Sequence, residues 1–70
     1  MKKNAKRAVG QTWGLKSGDP GLVLIVGRGE SSYGDAWRIL TIEPQKGGRP
    51  AGSVTMADDV WFEIFAERVA

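Results

Sequence analysis

The residues whose chemistry is most legible are cations set among aromatics. Lys2, Lys3, Lys6 and Arg7 crowd the start of the chain, Arg28 lies shortly before Tyr33, and Lys46 and Arg49 share one glycine-rich segment. Lysine and arginine neutralise backbone phosphates, with binding that weakens as salt rises, and rings such as Tyr33 and Trp13 offer stacking faces for bases. Together Lys2, Lys3, Lys6, Arg7, Arg28, Tyr33, Lys46 and Arg49 are the candidate nucleic-acid-binding set. The acids collect at the other end, where Asp58, Asp59, Glu63 and Glu67 stand against Arg68 alone. Asp59, Glu63 and Glu67 fall on one side of a helical projection and form the candidate surface for a protein partner.

Other chemistry is excluded by composition or by spacing. The 70 residues contain no Cys and no His, so disulfides and thiolate or imidazole metal sites are ruled out. Ser31, Ser32 and Ser53 have no histidine to activate them, and Asp58 and Asp59 sit where helix starts commonly carry acids. Gly27-Arg28-Gly29 lacks both the third glycine of a dinucleotide fingerprint and the Gly-Lys-Ser/Thr of a P-loop. A non-enzymatic protein without cofactor or metal is expected. Ten Lys and Arg against eight Asp and Glu leave a net charge of +2, too small to argue from, so the position of the charges matters more than their sum. No run approaches the roughly 20 apolar residues that span a bilayer, and Leu22 to Val26 is too short for a signal-peptide core. The expected compartment is the cytoplasm, with no membrane partner.

These side chains must be positioned by a small scaffold. The first ten residues carry four cations and no helix-period stripe, so 1–10 reads as a basic flexible arm and 11–70 as one small α+β domain. Gln11 to Leu15 reads as a short edge strand, and Lys16 to Gly21 as a turn. Leu22-Val23-Leu24-Ile25-Val26 is aliphatic on both faces and is expected to be a central strand covered on both sides. Gly27 to Asp35 reads as a flexible loop projecting Arg28 and Tyr33. Trp37 to Glu43 alternates, with Trp37, Ile39 and Thr41 on one face, and pairs antiparallel with the central strand. Pro44 to Gly52 is a second cationic loop, and Ser53 to Met56 a short strand with Val54 and Met56 inward.

From Asp58 to Val69 the apolar residues Val60, Trp61, Phe62, Ile64, Phe65 and Val69 fill one arc at 100° per residue. The spacing predicts an amphipathic helix, capped by Thr55 or Ser53, that lays Trp61, Ile64 and Phe65 across the sheet. The expected fold is α+β: a small antiparallel three- to four-stranded sheet, SH3-like or an open meander, with one C-terminal amphipathic helix.

Leu15-Lys16-Ser17-Gly18-Asp19 leading into Val23 and Ile25 resembles the entry to SH3-like small β-barrel domains, and the resemblance extends through Trp37–Ile42 and Ser53–Met56. It implies a scaffold that binds nucleic acid or protein through loops and strand faces. The expected function is a small binding module contacting nucleic acid or a nucleic-acid-bearing complex through its arm and loops. The alternative is a phage- or plasmid-type inhibitor or adaptor, acting in transcription regulation by docking on a host protein such as RNA polymerase. Self-assembly through a sheet edge or an apolar flank is a third expectation, because a chain this short and without staples commonly gains stability by association.

Overall fold

The computed structural model describes residues 7–32 and 34–70. Five strands and one helix follow in the order β1 Thr12–Leu15, β2 Leu22–Ser31, β3 Gly34–Glu43, β4 Val54–Ala57, α1 Asp59–Phe65 and β5 Ala66–Arg68. The strands form one sheet in the order β4-β3-β2-β1-β5, and every neighbouring pair is antiparallel. The chain meanders from β1 to β4, crosses by α1 and returns to pair with its own first strand.

The expected pairing of β2 with β3 is present, with Ile25 opposite Ile39 and Leu24 opposite Leu40. Alternation decides which face is covered: Val23, Ile25 and Ile39 are buried, while Leu22, Leu24 and Leu40 are only half-buried. Trp13 on β1, Ala57 on β4, Phe62 on α1 and Ala66 on β5 complete the core, with Trp37 and Trp61 packed against it. Phe62 is met edge-on by both Trp13 and Trp61, with ring centroids 5.1 and 5.0 Å apart.

The fold is therefore not the expected α+β plan of three to four strands and a long terminal helix. It is a five-stranded antiparallel sheet with one helix of seven residues. Asp58, rather than Thr55 or Ser53, caps the helix by accepting the Trp61 N–H at 2.9 Å. Ala66 is extended, and the chain from there donates to and accepts from β1: Lys16 N–H bonds Phe65 C=O at 2.8 Å, and Val69 N–H bonds Thr12 C=O at 2.8 Å. A short helix holds only marginally on its own, whereas the second edge of β1 offers unpaired backbone groups to whatever reaches it. That tertiary demand ends the helical run four residues early. Of the expected apolar arc, Phe62 is fully buried and Trp61 partly so, while Val60, Ile64, Phe65 and Val69 stay 52–58% exposed.

Two further expectations are corrected. The loop read over Gly27 to Asp35 is the end of a long hairpin, because β2 continues to Ser31 and β3 starts at Gly34. Gly29 serves close approach there: a Cβ on it would collide with the Met56 thioether that lies over it. The fourth strand presents the opposite face from the one expected, with Val54 and Met56 exposed and Ala57 buried. The register Leu40↔Val54 and Ile39↔Thr55 fixes that phase, and in a strand of four residues a shift of one position exchanges the faces. No helix among the described residues is long and apolar enough to cross a membrane.

Candidate functional site

Arg7 is separated from the other candidate cations by its surroundings. Its side chain is 7% exposed, and its guanidinium lies 5.1 Å from the centroid of the Phe62 ring and 5.5 Å from that of Trp13. Asp59 receives it twice, through a carboxylate contact at 3.4 Å and a carbonyl hydrogen bond at 3.4 Å. The same carboxylate accepts the Trp37 indole N–H at 3.1 Å. Arg7 thus ties the entry of the chain to the helix start, and its charge is spent on protein partners. Lys2, Lys3, Lys6 and Tyr33 lie outside the described residues.

Arg28 remains at the surface. On the hairpin it stands opposite Trp37, with its guanidinium 4.5 Å from the ring centroid and Asp35 at 3.8 Å. Lys46 and Arg49 are exposed on the connection between β3 and β4. Arg49 reaches a groove of about 520 Å³ on the core side of the sheet. The groove is lined by Trp61, by Ser31, Ser32, Thr41 and Thr55, and by apolar residues that include Val23 and Ile39. Glu43 and Asp58 also border it, but Glu43 accepts from the Gly21 N–H at 3.4 Å and Asp58 holds the helix start. Trp61 and Gln45 separate this groove from a smaller hollow of about 370 Å³ that includes Lys16 and Phe65. Arg49 and Trp61 thus line the same groove, while Trp61 also packs against the core as expected. A tryptophan at the start of a helix carries no local mark of facing a groove, so nothing in the sequence singles Trp61 out for this place.

The acidic set is divided between α1 and β5. Asp59 is engaged by Arg7 and Trp37, the Glu63 carbonyl accepts from the Lys16 ammonium, and Glu67 stands on β5 rather than on a helix.

Behind the core, the other face of the sheet is apolar. The register places Leu24, Leu40 and Val54 side by side on β2, β3 and β4. Val26, Ile42, Val54 and Met56 are 38–52% exposed. All three tryptophans and Phe62 belong to the core side, so the expected cover for the second face of β2 is not supplied by them. One sequence signal did mark this face: on the strand from Trp37 to Glu43, the positions alternating with the core include Leu40 and Ile42 rather than polar residues. No protein-family model matches the chain, and no curated protein or solved structure matches it significantly.

Proposed function

We propose that the protein is a non-enzymatic binding module that takes a single strand of nucleic acid along the groove between Arg49 and Trp61. The observation that carries this reading is the grouping, along one open groove, of a cation, an aromatic residue and four residues that bear hydroxyls. A guanidinium pairs with a phosphate, a ring accepts a base, and hydroxyls bond phosphate or sugar without selecting sequence. Lys46, on the same connection, extends the positive potential, and Lys2, Lys3 and Lys6, outside the described residues, join the proposed set on the sequence alone. The SH3-like resemblance is part of this proposal, supported by the antiparallel meander whose last strand returns to β1. A cytoplasmic location is proposed with it, on the absence of cysteine.

Fluorescence anisotropy with labelled single-stranded DNA and RNA across a salt series is the test. Affinity should fall linearly with the logarithm of salt, and Arg49→Ala and Lys46→Ala should each reduce the slope by about one while weakening all sequences alike. Absence of binding to either nucleic acid at low ionic strength would remove the proposal. The adaptor reading survives in a different form from the one the acidic residues suggest, because the apolar rear face of the sheet favours a protein surface.

A further inference from the structure

The groove adjoins the smaller hollow of about 370 Å³, because Trp61 and Gln45 line both. We propose that the hollow is a second contact for the same single strand of nucleic acid, with the Lys16 ammonium holding a phosphate and the Trp61 and Phe65 rings holding the base next to it. The inference rests on the reading of the groove given above and extends it to a residue outside the candidate cationic set.

Charge marks Lys16. Arg7 and Arg28 each have a carboxylate beside them, Asp59 at 3.4 Å and Asp35 at 3.8 Å. Lys16, the residue after β1, is placed by its backbone, whose N–H bonds the Phe65 C=O at 2.8 Å. Its ammonium donates to the Glu63 C=O, a neutral acceptor that occupies one of three donors. No carboxylate among the described residues lies within ion-pair distance of it. An ammonium held in place, with donors left over and its charge not cancelled, suits a phosphate oxygen.

The lining of the hollow agrees with that charge. Glu43 and Asp58 border the larger groove, whereas no acid lines the hollow. The Trp61 and Phe65 ring centroids are 6.4 Å apart with the planes at 47°, and Phe65 is 52% exposed. Tilted in this way the rings form an open corner, where a flat base can lie on one ring and meet the other at its edge. Arg49 lines the groove and Lys16 the hollow, so the order along the surface is cation, rings, cation. A strand in which phosphates and bases alternate matches that order, which an acidic peptide has no reason to follow.

Fluorescence anisotropy of labelled oligothymidylate on the full chain across a salt series tests the proposal. Lys16→Gln keeps a donor for the Glu63 C=O and removes the charge, so it should lower the salt slope by about one, whereas Lys16→Arg should keep the slope. Lys16→Gln combined with Arg49→Ala should lower it by about two. Phe65→Leu retains apolar bulk and should weaken binding at least about fivefold with the slope unchanged, and it carries the test if Lys16→Gln fails to fold. A slope that Arg49→Ala lowers and Lys16→Gln does not, or an affinity indifferent to Phe65→Leu, would overturn this contact and leave the groove reading intact. Displacement by oligoglutamate as effective as by unlabelled oligothymidylate would assign the hollow to an acidic peptide and overturn it too. Absence of binding by the parent chain removes both readings.

Discussion

Arg7 carries its guanidinium into the layer made by Trp13 and Phe62, where a hydrated lysine or a short side chain would leave the ring faces bare. Its methylene stem and its charge both contribute, so Arg7→Ala should lower stability by about 1–3 kcal/mol, and Arg7→Met, which keeps most of the packing, by less. Urea unfolding followed by tryptophan fluorescence measures both, and an unchanged midpoint for the alanine variant would show that the cation is only resting on the surface. The sequence displays Arg7 as one of four clustered cations and offers no local mark of its different role. Burial arises from Asp59, more than fifty positions away, and from two rings that meet only in the fold. A truncation meant to test the basic residues for nucleic-acid contact should accordingly stop at Lys6, since removing Arg7 also uncovers the core.

The helix and the strand that follows it show where local reading stops. Trp61 to Val69 satisfies a period of 3.6, and the choice between continuing the helix and switching to a strand rests on whether β1 has a free edge to fill. That condition is written in Thr12 to Leu15, not in the segment itself. A helix of seven residues depends heavily on its ends, so Asp58→Ala should cost about 1 kcal/mol and Asp58→Asn much less. Thermal unfolding compared across the two variants decides it; equal losses would mean that the Trp61 N–H gains nothing from the cap. The hairpin was more legible. Ile39 and Thr41 alternate with Leu40 and Ile42, and this gave the pairing with Leu22 to Val26, while the close approach of Met56 to Gly29 hid the outer half of both strands behind an apparent loop. The phase of β4 was not legible at all, because Val54-Thr55-Met56-Ala57 has no preferred face until Leu40 and Ile39 assign one.

At the scale of the molecule, the core is thin: Phe62 and Ile25 are its only fully buried large side chains among the described residues. The expectation that the central strand is covered on both sides is met on the core side alone, since among the described residues Leu22, Leu24 and Leu40 stay half-buried on the other face. What the sequence withheld was the distribution of the three tryptophans and Phe62, all of which settle on one side.

The closing pair of strands has a mechanical consequence. Thr12, where β1 begins, exchanges hydrogen bonds with Val69 and Ala70, just beyond the end of β5, so the two ends of the sheet leave it side by side. A force that separates them does not shear the ladder as a whole but opens it from Thr12 inward, one residue pair after another. Such a geometry resists pulling weakly whatever its equilibrium stability. A motor that threads the chain from its C-terminal end would strip β5 first and meet most of its resistance only at Phe62.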